Sequence, residues 1–156
     1  MNKLFTVLTL AMVSHYSFAA AEKPVTKPLD GKPAVAIQIF DVSGKVAKPI
    51  QGNKLNIAKK QNRLCWNSIN VPVEGKVMIA EAIYAPAKSK AISEGSQVQA
   101  SPDGTSNTII TNLNNVTEKY VSRCWDFDKT DPIGKYKMDV QINDQVFKGL
   151  EFEIVK

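Results

Sequence analysis

The chain has 156 residues, with 20 Lys and Arg against 15 Asp and Glu, two Cys and a single His. That histidine, His15, falls in a predicted leader, so the rest of the chain lacks the base of a His-dependent triad or dyad and the imidazole ligands of common zinc sites. The basic excess is diffuse: apart from Arg63 and Arg123 it is all Lys, scattered singly except at Lys59-Lys60, whereas nucleic-acid binders cluster Arg and Lys among aromatics.

Residues 1–21 read as a secretory signal peptide. Lys3 gives the positive start, Leu4 to Val13 the apolar stretch, and the small residues up to Ala19 or Ala21 the cleavage site. The apolar stretch is too short to span a bilayer, and no later run approaches the roughly 18 residues that spanning needs. No Cys follows the cleavage site, which argues against a lipid anchor. The predicted location is therefore the periplasm or the cell exterior. Residues 22–33 (EKPVTKPLDGKP) are too rich in Pro and Lys to build a core. They are expected to be extended, as a solvated spacer or, less favoured, as an arm on a partner. Residues 34–156 then make one β-sandwich domain.

From there the apolar period is two. Val35, Ile37 and Ile39 alternate with Ala36 and Gln38, and Ser43-Gly44 marks a turn. Further strands are predicted from Lys54, over Leu64 to Ile69 and over Lys76 to Tyr84, where Pro86 stops the run. Residues 85–95 read as a loop or one helical turn. Two runs, Ser96 to Ala100 and Asn107 to Leu113, flank the turn signal Ser101-Pro102-Asp103-Gly104, and Tyr120 to Phe127 is a further strand. At the C-terminus Tyr136, Met138, Val140 and Ile142 share one face, Asn143-Asp144 turns the chain, and Leu150, Phe152 and Ile154 return. Short strands at this spacing, with no amphipathic helix, predict an all-β, antiparallel sandwich of about seven or eight strands.

This tail, from Asp131-Pro132-Ile133-Gly134-Lys135-Tyr136 to Phe152-Glu153-Ile154, resembles the last hairpin of bacterial immunoglobulin-like modules: a Gly-x-Tyr strand, an Asn/Asp/Gly turn and a Phe-x-Val/Ile strand. The resemblance covers about 25 residues and implies an immunoglobulin-like fold and no particular activity. Cys65 and Cys124 are each followed by Trp, unlike antibody-type domains, where a Trp stands alone between the cysteines.

Two Cys in an exported chain are expected to pair as a structural disulfide, and without Cys-x-x-Cys spacing or a His neighbour neither is set up as a reactive thiolate. On a strand, Cys65 and Trp66 point to opposite faces, as do Cys124 and Trp125. If the bridge joins neighbouring strands, both Trp lie side by side on the other face. Val121, Trp125 and Phe127 share a parity, which predicts a buried Trp125 and a more polar Cys face. Core packing is favoured for the Trp pair over an aromatic ligand platform. Asp126, Asp128 and Asp131 form the densest acidic group. A turn shaped by Asp131-Pro132 explains them better than calcium or a carboxylate acid/base pair. No metal and no cofactor is predicted.

The function read from the sequence is a non-catalytic envelope protein acting by contact with another envelope protein, without nucleic acid. A periplasmic inhibitor or immunity protein against a toxin or hydrolase is the alternative. A pilus or adhesin subunit comes third and a carboxylate-based hydrolase last. The expected contact surface is the exposed sheet edge and the loops near Trp66, Asp126 and Asp128.

Overall fold

Alternation of buried and wet positions sets the strands. The computed structural model describes residues 27–59, 61–117 and 119–156; the predicted signal peptide and the first residues of the leader lie outside them. In chain order the strands are β1 (Ala34–Asp41), β2 (Lys48–Ile50), β3 (Lys54–Asn56), β4 (Asn62–Ile69), β5 (Gly75–Tyr84), β6 (Gln97–Ala100), β7 (Ser106–Val116), β8 (Ser122–Trp125), β9 (Gly134–Ile142) and β10 (Gln145–Val155). They form two packed sheets, of order β2-β1-β4-β8 and β3-β10-β9-β5-β7-β6.

The chain is an all-β, immunoglobulin-like sandwich. β1, β4 and β8 lie side by side in one sheet, β5, β9 and β10 in the other, and short β3 crosses over to pair in parallel with the last strand, Leu55 opposite Ile154. A tyrosine corner opens β9: the Tyr136 hydroxyl donates to the Pro132 carbonyl at 2.7 Å. Burial, with the charge of Asp131 nearby, holds this phenol's pKa well above the ordinary value, so it remains a donor. Tyr136 stacks on Phe152 with ring centroids 5.0 Å apart, and Phe127 packs against both. Asn143, at φ 53°, turns the β9–β10 hairpin, and its side-chain oxygen accepts the Met78 N–H at 3.0 Å, tying the turn to β5.

Three local features go beyond the sequence reading. β2 is an edge strand with Pro49 in its centre, where a missing N–H costs no ladder bond. The described end of the leader is not simply extended: Pro28–Gly31 make a tight turn with Leu29 and Asp30 in the left-handed region, and the Asn70 amide donates to the Pro28 and Lys32 carbonyls at 2.7 and 3.0 Å. Residues 85–96 form an irregular loop without a helical turn, laid along the β6–β7 hairpin by the Ser89 N–H to Gly104 carbonyl bond at 2.9 Å. Among the described residues, no helix is long and apolar enough to cross a membrane.

Candidate functional site

Both faces of β8 carry unusual chemistry, and its register with β4 explains why. Cys124 stands opposite Cys65, Arg123 opposite Trp66 and Trp125 opposite Leu64. The disulfide therefore joins adjacent strands of one sheet on its outer face, with a Cα–Cα separation of 4.0 Å and 59 residues of sequence separation. In antibody-type domains the bridge instead spans the two sheets. Antiparallel pairing sets Trp66 and Trp125 diagonally on the inner face.

Trp66 is fully buried, which agrees with core packing for the Trp pair and takes Trp66 itself off the candidate contact surface. On β4 the face of Leu64 and Trp66 is buried throughout, whereas on the other face only Cys65 is buried and Arg63, Asn67 and Ile69 are half-buried. What the indoles meet was not foreseen. β5 points Val77, Ile79, Glu81 and Ile83 into the sandwich, and Glu81 is completely buried. One oxygen, Oε1, accepts the Trp66 indole N–H at 2.6 Å and the Trp125 indole N–H at 2.7 Å. The other, Oε2, faces Arg123 Nε at 3.2 Å in an ion pair but accepts no well-aligned hydrogen bond. The Arg123 guanidinium goes on to donate to Thr111 and to Ser93, and it lies 5.5 Å from the centroid of the Trp125 ring. A signal for this cluster exists in the sequence: Glu81 shares its parity with Val77, Ile79 and Ile83, and an inward carboxylate demands donors.

Burial pushes the Glu81 carboxyl above its ordinary pKa, while the Trp66 hydrogen bond, the Arg123 charge and the Trp125 hydrogen bond pull it back. Glu81→Gln keeps an acceptor for the indoles but turns an amide N–H donor toward the Arg123 guanidinium, where the two donors leave one another unsatisfied. It should cost about 1–3 kcal/mol in urea unfolding at acid pH. Because the folded pKa is the higher one, the contribution of Glu81 is fully present below the unfolded value of about 4.5 and is lost as pH rises through the folded value. The stability gap between wild type and Glu81→Gln should therefore narrow as pH rises from about 4 to 8. A gap that widens would contradict the assignment.

Asp126 and Asp128 are exposed at one end of the sandwich. Asp126 is gripped by Arg63, Nε to Oδ1 at 2.6 Å and the guanidinium NH2 to Oδ2 at 2.8 Å, which ties the chain after β8 back to β4. Asp128 accepts both the Thr130 N–H at 2.7 Å and the Thr130 hydroxyl at 2.6 Å, and Asp131 accepts the Asp128 N–H at 2.8 Å. The Thr130 hydrogen bonds hold the Asp128 carboxyl below its usual range, whereas burial raises that of Asp131. Among the described residues, no three His, Cys, Asp or Glu side chains gather as a metal site. Between this turn and the 85–96 loop lies a cleft of about 190 Å³. Trp125, Phe127 and Tyr136 line its apolar part, and the three Asp with Lys90 and Ile92 line the rest. Ile92 is 75% exposed, a large apolar side chain held out at the cleft.

The family described as the PM0630 beta sandwich domain matches residues 35–155. A protein of Pasteurella multocida (strain Pm70), named "Uncharacterized protein PM0630", is 36% identical over 155 residues, covering 98% of this chain and 94% of that one. Among solved structures, an immunoglobulin-like protein from Pseudomonas aeruginosa aligns with a TM-score of 0.48 at 13% identity, covering 80% of this chain and 97% of that one. The Pseudomonas fluorescens alkylpurine DNA glycosylase AlkC, bound to DNA containing an abasic site analog, aligns with a TM-score of 0.41 at 12% identity, covering 80% and 30%.

Proposed function

This chain belongs to the PM0630 beta sandwich domain family, and on that premise we propose that it is a non-catalytic, exported envelope protein that works by contact with another envelope protein. The observation that carries the reading is the cleft with Ile92. An exposed aliphatic side chain lines the same cleft as three aromatic rings and the polar side chains of Asp126, Asp128, Asp131 and Lys90. An apolar centre inside a polar rim is the anatomy of protein interfaces. Export is supported by the Cys65–Cys124 disulfide, a bond that persists in oxidising compartments, and by the signal-peptide pattern at 1–21. The filled β9–β10 hairpin weighs against a pilin that awaits a donated strand.

The test is affinity capture of the tagged protein from an envelope extract, comparing wild type with Ile92→Asp and with the double variant Asp126→Asn, Asp128→Asn. Each variant is first checked for cooperative unfolding. A specific captured partner, with binding reduced about tenfold or more by Ile92→Asp, supports the reading. Hydrolysis of an envelope polymer by the purified protein, abolished by the double Asn variant, would overturn it.

A further inference from the structure

The disulfide on the outer face of β8 is open to attack from one side only. Cys124 is exposed, while Cys65 is 6% exposed. Thiol–disulfide exchange requires a thiolate to reach one sulfur along the line of the S–S bond, and exposed bridges are the exchangeable ones. Here that line runs across two adjacent strands. Beyond Cys124 there is only the free edge of the sheet, because β8 is its last strand. Beyond Cys65 lies β1, with Gln38 opposite. The bridge sits in a depression lined by Phe40, Val42 and Ala47 and by the polar Arg63, Asn67 and Ser122, a mixed surface on which another protein can rest.

The inner face of β8 is held independently of the bridge. Trp125 and Arg123 reach Glu81 on the opposite sheet, and neither contact involves a sulfur. If the S–S bond opens, these contacts keep Cys124 opposite Cys65.

We propose that the Cys65–Cys124 bridge is a thiol-exchange site for a dithiol reductant, opened on the folded sandwich. A thiolate of the reductant attacks Cys124 Sγ, the Cys124–Cys65 bond breaks, and the electron pair leaves on the Cys65 sulfur, which takes up a proton. The second thiol of the reductant then attacks its own sulfur in the mixed disulfide, and Cys124 leaves as a thiol. The protein gains two electrons and two protons, and the dithiol becomes a disulfide. The attacking thiolate belongs to the partner, so the absence of an activating His near Cys124 is no obstacle.

The experiment exposes the oxidised protein to glutathione under native conditions, quenches with an alkylating agent and maps the adduct by mass spectrometry. Reduction by dithiothreitol is then timed across a series of urea concentrations below the unfolding midpoint. The expected result is glutathione on Cys124 in about tenfold or greater excess over Cys65, with a reduction rate that does not follow urea. In hydrogen exchange, residues 122–125 should remain protected after reduction, and lose that protection in reduced Glu81→Gln but not in its oxidised form. If Glu81→Gln does not fold, the adduct position and the urea series on the unaltered chain decide alone. Adducts shared equally or placed on Cys65, or a reduction rate that rises in step with unfolding, would overturn the proposal and leave a bridge that opens only when the domain unfolds.

Discussion

Trp66→Ala should destabilise the domain by about 5 kcal/mol, measured by urea unfolding of the oxidised protein. Trp66 is among the largest of the fully buried side chains, and truncating a core Trp typically costs roughly 3–5 kcal/mol through lost transfer energy and a residual cavity. A second loss adds to this. The Trp66 indole is one of two N–H donors to Glu81 Oε1, and leaving a buried charged acceptor short of a partner costs about 1–3 kcal/mol. Trp66→Phe separates the two effects, since it keeps most of the ring and removes the donor. It should cost about 2 kcal/mol, less than half as much as the alanine variant. A loss below about 1 kcal/mol for Trp66→Ala would mean that the indole does not carry the core as described. Reduced partner capture by Trp66→Ala would report loss of the fold and not loss of a contact.

The elements that the sequence announces are those whose signal is local. β9 and β10 were legible because Tyr136, Met138, Val140 and Ile142 alternate with charged or polar residues and Asn143-Asp144 closes the hairpin within two positions. β2 was not, because three residues with a central Pro carry no period at all. Trp66 shares its parity with Leu64 and Ser68 on the buried face of β4, so alternation places it in the core, and of the sequence candidates only Asp126 and Asp128 stay at the surface. The Glu81 cluster depends on four strands, β4, β5, β7 and β8, brought together by pairings distant in sequence. The parity of Arg123 with Val121 and Trp125, and of Glu81 with Ile79 and Ile83, places both charges inward, yet only the sheet register makes them partners. The turn reading of Asp126, Asp128 and Asp131 rests on short-range hydrogen bonds, and there the sequence pattern and the geometry agree.

Removing the disulfide with Cys65→Ala, Cys124→Ala should lower stability by about 4 kcal/mol. The bridge closes a loop with 59 residues of sequence separation, and in the chain-entropy model a loop of that length restricts the unfolded chain by about this amount. Little should be added from lost packing, because Cys124 is exposed and Ala retains the β-carbon of Cys65. In thermal unfolding the same loss corresponds to a midpoint lower by roughly 15 °C for a domain of this size. The control lies in the reductant. Dithiothreitol should bring the wild-type midpoint down to that of the double Ala variant and leave the variant itself unmoved. A domain starting from about 5–15 kcal/mol remains folded after such a loss, as exchange of the bridge on the native sandwich requires. β8 is then held by its ladder with β4 and by the inner-face contacts of Trp125 and Arg123 with Glu81 and of Arg123 with Thr111, so Glu81→Gln should cost more in the double Ala background than in the oxidised protein. Equal costs in the two backgrounds would mean that the bridge and the buried cluster hold β8 without reference to one another.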